Sequence, residues 1–225
     1  MEEYRYEIKF ILDTEQSSKF HFLLSSLTSM SKAFPDRLVN SIYYDDSSFS
    51  SIQDNLMGIS HRQKMRLRWY GDNVSDKRAI FEIKKRNGRL GCKDSVEIEP
   101  LDGAVMKLPL HEISKIMFEN LASKGKIFYQ HLYPALQVSY KREYFSSVEG
   151  IRITLDKNIS FSNPHLYKNI STNSQINYPL SILEIKFSPQ HKPQAHSIIK
   201  SFDLTPKRHS KYIAGMAALG LASYV

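Results

Sequence analysis

Residues 78–99 read RAIFEIKKRNGRLGCKDSVEIE. Glu82, Lys84 and Arg86 alternate with Phe81, Ile83 and Lys85, then Asn87-Gly88 interrupts, and Lys93, Ser95, Glu97 and Glu99 alternate with Val96 and Ile98. Side chains on a strand point to opposite faces with period two. Asn-Gly between alternating runs is the turn signal of a tight hairpin, because its backbone tolerates positive φ at both central positions. Strands over 78–87 and 90–99 are therefore expected to pair antiparallel, one face apolar and the other rich in charge.

The same pattern recurs along the chain. Charged rows Arg5-Glu7-Lys9, Lys64-Arg66-Arg68, Arg152-Thr154-Asp156 and Glu184-Lys186 are backed by Tyr6-Ile8-Phe10, Met65-Leu67-Trp69, Ile151-Ile153-Leu155 and Leu183-Ile185-Phe187. Strands are expected over 3–11, 38–44, 62–70, 135–146, 150–160 and 181–187. Helices are expected over 14–28 (opened by Asp13-Thr14-Glu15-Gln16), 49–57, 110–123, 190–201 and from about 209. Residues 161–179 are polar and turn-rich and read as a long loop. This order fits an α+β protein with a closed eight-stranded antiparallel β-barrel and helices packed outside, in a single domain over 1–225.

Closure gives each charged row a destination. The helices have apolar stripes that need covering, so the apolar strand faces should point outward to them and the charged faces inward to a lumen. Isolated buried charges are too costly to stay unpaired. The lumen must be wet, and must neutralise its cations with Glu7, Glu82, Glu97, Glu99 and Glu184 together with a bound anion. Arginine and lysine facing each other across a channel suit successive phosphates, and interspersed carboxylates suit a hard divalent ion. The stretch 135–146 breaks the pattern, since Arg142 shares a face with Leu136, Val138, Tyr140 and Tyr144. Either its outer face is solvated or a bulge re-aims its side chains.

Composition is consistent with this. The chain has 225 residues, 31 Lys+Arg against 23 Asp+Glu, and a net charge of +8, which favours an anionic partner. The usual marks of a nucleic-acid reader, a basic recognition helix or aromatic-basic strands, are missing, so no nucleic acid is expected. One cysteine, Cys92, fits a reducing compartment, and its setting reads as a small apolar strand residue. The eight histidines lack zinc spacing; His209 alone lies in a basic segment. The N-terminus lacks a signal peptide's basic and apolar regions, and no apolar run is long enough to span a bilayer, so a cytoplasmic location is expected.

These rows resemble, in order, the segments of the VTC (vacuolar transporter chaperone) polyphosphate-polymerase domain within the triphosphate tunnel metalloenzymes. Arg5-Tyr6-Glu7-Ile8-Lys9 looks like the opening strand, and Arg66-Leu67-Arg68-Trp69-Tyr70-Gly71 like the paired-arginine strand. Glu82-Ile83-Lys84 with Lys93 is similar to the E-x-K hairpin. Tyr140-Lys141-Arg142, Arg152-Ile153-Thr154-Leu155-Asp156, Leu183-Glu184-Ile185-Lys186-Phe187 and Arg208-His209-Ser210-Lys211-Tyr212 follow in sequence.

The resemblance implies a tunnel for ATP, pyrophosphate or polyphosphate with a divalent metal, Mn²⁺ or Mg²⁺. It implies transfer of the ATP γ-phosphate to a polyphosphate chain. By the same carry-over Lys9, Arg66, Arg68, Lys84, Arg142 and Arg152 serve the transfer. Lys93, Lys186, Arg208, Ser210 and Lys211 hold phosphate, and Glu184, with a lesser share from Glu7, binds the metal. The family's triphosphatase branch opens E-x-E-x-K, whereas Arg5 stands at the first acidic position here. The eukaryotic polymerase works in a membrane complex, and the resemblance extends to a separate membrane partner as an expectation. Two alternatives stand beside the polymerase: an inorganic tri- or polyphosphatase of the same fold, and a non-catalytic polyphosphate or nucleotide sensor.

Overall fold

The computed structural model describes residues 5–27, 30–71, 78–88, 90–126, 128, 131–170 and 173–222. The expected strand start at residues 3–4, the helix end at 28 and residues 171–172 of the expected loop lie outside them. The strands are β1 (Arg5–Leu12), β2 (Met30–Asp45), β3 (His61–Tyr70), β4 (Ile80–Asn87), β5 (Leu90–Glu97), β6 (Tyr133–Ser147), β7 (Arg152–Ser162), β8 (Ile176–Tyr178) and β9 (Ser181–Phe187). The helices are α1 (Thr14–Ser26), α2 (Ser50–Leu56), α3 (Leu110–Ser123), α4 (Lys192–Ser201) and α5 (Lys211–Ala218).

All strand pairs are antiparallel, in the order β6-β2-β3-β4-β5-β1-β9-β7, and β7 pairs back to β6, so eight strands form a ring. The ninth, β8, flanks β7 within the stretch expected to be a loop; its three residues pair with Ile159–Phe161. β2 is far longer than the expected 38–44. Its first half contains Pro35 and several charges, and it stays in the sheet through register shifts around Phe34. In the β4–β5 hairpin Asn87 pairs with Leu90, and Gly88 takes φ 59°, the left-handed turn conformation that needs no Cβ.

The apolar faces point outward. Met65, Leu67, Trp69, Phe81 and Ile83 pack with Ile113, Met117 and Leu121 of α3. On the other side Phe10, Leu12, Ile153, Leu155, Leu183 and Ile185 pack with Phe20 and Leu24 of α1 and Ala195 and Ile198 of α4. The start of α1 is set by a capping box: Asp13 accepts from the Gln16 amide at 2.8 Å, and Gln16 accepts from the Asp13 amide at 3.1 Å.

α5 lies across one end of the ring. Tyr212, Ile213 and Met216 join Val39, Tyr43, Leu136, Val138, Tyr140, Ile159, Phe161 and Ile182 in a third apolar cluster. Tyr212 stacks on Tyr43 at 5.0 Å and donates to Asp45 at 2.7 Å. This explains the odd row of β6. Leu136, Val138 and Tyr140 share Arg142's inward face because α5 meets them there. The outward face is polar but partnered: Gln137 with Asn173, Ser139 with Asn40, Lys141 with Asp36, Glu143 with His21 and Lys157. The bulge is in the neighbouring strand, where Asn158 (φ 50°) inserts an extra residue opposite Tyr140.

Gly215 lets α5 come this close. A Cβ there would stand 2.5 Å from Leu136 and 2.7 Å from Phe161. Gly215→Val is therefore expected to destabilise the protein by roughly 1–3 kcal/mol through overpacking. Urea unfolding checks this, and an unchanged midpoint would contradict the close approach.

Candidate phosphate tunnel

The register of β3, β4 and β5 lines up inward side chains in cross-strand rows. Arg66 stands opposite Glu82, which stands opposite Ser95; Lys64 faces Lys84, which faces Lys93; Arg62 faces Arg86. Glu82 is 1% exposed and is the hub of its row. It accepts from Arg66 Nε at 2.7 Å and Lys93 Nζ at 2.6 Å, with Arg68 3.5 Å away. Arg66 also donates to the Tyr43 hydroxyl and Arg68 to the Tyr140 hydroxyl.

The facing wall comes from β1, β9, β7 and β6. Register sets Lys9 opposite Glu184, Glu184 opposite Thr154, Arg152 opposite Lys186 and Arg142 opposite Asp156. Lys9 Nζ lies 3.0 Å from Glu7 and 3.6 Å from Glu184, Lys186 lies 2.8 Å from Glu184, and Lys84 reaches across to Glu7. Arg142 grips Asp156 with a two-point fork, shares it with Lys211, and stands 3.9 Å from Glu184. Lys211 also sits 4.7 Å above the Tyr140 ring.

The two central carboxylates interact with each other. Burial, the largest influence, and the charge of Glu184 push Glu7 upward, but Lys84 and Lys9 outweigh them and hold it down at about 2. Glu184 is likewise driven up by burial and further down by Lys186 and Lys9, ending well below the carboxylate range. Asp156 is held at about 2 by Arg142 and Lys211 against its burial. Unfolding releases these acids to their ordinary 4.5 and 3.8. The unfolded chain then binds more protons than the folded one between those values and about 2. Stability is accordingly complete above about pH 4.5 and drops by several kcal/mol as the pH falls toward 2. Acid titration followed by circular dichroism reads this directly, and a flat profile down to pH 2 would refute it.

Lys64 has a different setting. Its Nζ donates to Ser210 Oγ at 2.8 Å and has no carboxylate partner among the described residues. Burial first, then the like charges of Lys9, Lys84, Arg62 and Arg86, push its ammonium down to about 7.

A divalent ion fits the donors present. Glu184 and Glu7 offer adjacent hard oxygens, and Glu7 Oε1 is buried with the Lys9 ammonium 3.0 Å away but makes no well-aligned hydrogen bond. Among the described residues no three His, Cys, Asp or Glu side chains gather into a ligand set. Mg²⁺-type ions are commonly held by one or two carboxylates plus substrate phosphates, which matches a pair completed by the substrate.

The ring thus brings together Lys9, Arg66, Arg68, Lys84, Lys93, Arg142, Lys186, Lys211, Glu7 and Glu184. Ser210 touches this set through Lys64. Arg152 and Arg208 are exposed at its margins. Glu97 and Glu99 are not in the cluster: Glu97 pairs with exposed Arg78, and Glu99 with Lys124 at the end of α3. His209 is held neutral, down at about 3, by burial and then by the ammonium groups of Lys211 and Lys9; its carbonyl accepts from Lys9 at 3.0 Å. Asp156 and the hydroxyls of Tyr43 and Tyr140 are part of the constellation but were not singled out from sequence. Asp156 had a signal in its charged row; the two tyrosines, on apolar-looking strands, had none.

A family model described as the VTC domain matches residues 4–220. No curated protein sequence matches the chain. Among solved structures, a Pyrococcus horikoshii protein aligns over 96% of this chain and 99% of its own, at 14% identity and a TM-score of 0.52. An adenylyl cyclase-like protein from Hippeastrum, described as having a dominant triphosphatase activity, aligns over 96% and 95%, at 12% identity and 0.54. An adenylate cyclase-like protein from Vibrio parahaemolyticus aligns over 96% and 98%, at 12% identity and 0.53. At these identities the likeness is one of fold.

Proposed function

The chain belongs to the VTC-domain family, and from that premise we propose that it binds a linear phosphate chain in the lumen and transfers the γ-phosphoryl group of ATP to polyphosphate. The observation that carries this reading is the carboxylate pair Glu7–Glu184 set among Lys9, Lys84, Lys186 and Arg142. Those cations outnumber the acids, so a bound polyanion completes the charge balance of the lumen.

Phosphoryl transfer depends chiefly on positioning and on neutralising charge spread over the phosphoryl oxygens. Arg66, Arg68 and Lys93 on one wall and Arg142, Lys186 and Lys9 on the other would grip successive phosphates, the arginines as planar forks and the lysines as point charges. Glu184 and Glu7 would hold Mn²⁺ or Mg²⁺, which when bound supplies further neutralisation of phosphate oxygens. The bond between the γ-phosphorus and the oxygen it shares with the β-phosphate breaks. A terminal oxygen of the polyphosphate forms the new bond to that phosphorus, and ADP leaves. No helix among the described residues is long and apolar enough to cross a membrane.

Incubation with ATP and Mn²⁺ tests the reading: acid-labile polymer and ADP are expected. Inorganic phosphate in place of polymer would select hydrolysis. That second reading draws on α5, whose apolar side closes the lumen along β2, β6 and β7, where a product polymer would otherwise emerge. The triphosphatase activity described for the Hippeastrum protein points the same way. Thermal stabilisation by tripolyphosphate without turnover in either metal would select a binding role instead.

A further inference from the structure

The cations of the lumen fall into two groups. Those around Glu7, Glu82, Glu184 and Asp156 each have an acid within salt-bridge distance. Those at the β4–β5 turn end do not. Arg62 stands directly opposite Arg86 on the inward face, and Lys64 is one row deeper beside Lys84. Like charges directly opposite on a sheet repel, so such a pairing weakens the apo sheet. Arg208, on the segment leading into α5, adds its field: burial first, and then the like charges of Arg86 and Arg208, depress Arg62, with the carboxylate of Asp54 on α2 a lesser opposing influence. Arg62 spends one donor on the Ile59 carbonyl, and among the described residues Arg86 and Arg208 have no acidic partner. The row continues to Gly91, opposite Arg86, where even an added Cβ would meet nothing closer than 3.7 Å. The segment itself is tied to the wall by Lys207 N–H to the Lys9 carbonyl at 2.8 Å and by Ser210 to Lys64. Lys64 therefore links the acid-containing centre to this acid-free margin.

We propose that Arg62, Arg86 and Arg208, reached through Lys64, form a second, metal-free phosphate subsite that holds the part of a linear polyphosphate extending beyond the three phosphates at the centre. The inference rests on the reading that the central site takes a triphosphate. With no carboxylate in its ion-pairing shell, the subsite has no donors for a divalent ion, so it favours bare phosphate oxygens. Running along β3 and β4, it bypasses α5, which closes the opposite side. It gives a chain longer than three phosphates a continuous cationic path and a reason to bind more tightly than tripolyphosphate.

The test compares affinities of tripolyphosphate and a longer linear polyphosphate, without metal, for wild type and for Arg62→Ala/Arg86→Ala. Wild type is expected to bind the longer chain about tenfold or more tightly, the scale of one charge-assisted contact, and the double variant to lose most of that ratio. Longer chains also offer more binding registers, but that statistical gain survives in the variant, so only the lost ratio reports the subsite. Relief of Arg62–Arg86 repulsion should keep the variant folded, with a thermal midpoint no lower than wild type. A ratio that persists in the variant, or a wild-type ratio near one, overturns the subsite while leaving the central site intact. Failure of wild type to bind tripolyphosphate at all overturns both.

Discussion

Glu82→Gln is expected to destabilise the ligand-free protein by about 3–5 kcal/mol, the usual cost of stripping one partner from a buried ion pair. The side chain is 1% exposed, yet it offsets Arg66, Lys93 and the more distant Arg68. Glutamine keeps the shape and an acceptor but removes the charge, so the three cations are left facing one another. For a chain of this size the loss corresponds to a fall in melting temperature on the order of 10 °C. A bound phosphate chain restores the missing negative charge, so tripolyphosphate should raise the variant's melting temperature by more than it raises that of wild type. Glu97→Gln is the natural control. Its partner Arg78 and Glu97 itself are 74% and 47% exposed, and solvent screening reduces such a pair to about 0–1 kcal/mol. Differential scanning fluorimetry of the three proteins, with and without tripolyphosphate, settles the matter. If Glu82→Gln melts like wild type, or gains less than wild type from the ligand, Glu82 is not the hub of a polyanion site.

Much of the ring was legible because a strand with one apolar and one charged face has a period that nothing else mimics. β9 carries that period without interruption and forms where it predicts; the β4–β5 hairpin also forms, but its second strand ends at Glu97, short of the expected residue 99, where a 3-10 turn begins at Glu99. Where the fold was hidden, the reason is a tertiary partner or a backbone insertion. Ile153, Leu155 and Ile159 share one parity in the expected strand 150–160, and Phe161, expected at the start of the loop, continues it within β7. The extra residue at Asn158 turns the second pair over, so Ile153 and Leu155 pack under α1 and α4 while Ile159 and Phe161 meet α5. The same helix explains the row through Arg142: Leu136 and Val138 are apolar toward the lumen because Gly215 admits α5 there. Nothing local to β6 or β7 reveals a helix that begins only at Lys211. The candidate site was readable as a set of charges, but its pairing was not. Row membership suggests which residues face inward, whereas register decides that Glu82 meets Arg66 and Lys93, and the end of β5 at Glu97 leaves Glu99 in a 3-10 turn where it meets Lys124.

Glu184→Gln is expected to separate metal-dependent turnover from phosphate binding. Glu184 stands against Glu7, so its loss removes one of two adjacent hard oxygen donors and leaves a single carboxylate to hold the ion. Metal-ion neutralisation of a phosphoryl group contributes several kcal/mol to the transition state, so turnover with Mn²⁺ should fall on the order of a thousandfold. Binding without metal should move the other way. Lys186, Lys9 and Arg142 lose their shared counter-charge and become freer to meet phosphate. A phosphate chain also no longer approaches a negative neighbour, so metal-free tripolyphosphate affinity should hold or rise. Calorimetry without metal and a turnover assay with it give the two readings on one preparation. A parallel fall in both would indicate general collapse of the lumen, and unchanged turnover would remove Glu184 from the metal site. Only turnover lost with binding retained is the pattern that a metal-holding carboxylate, embedded in a cationic phosphate cradle, requires.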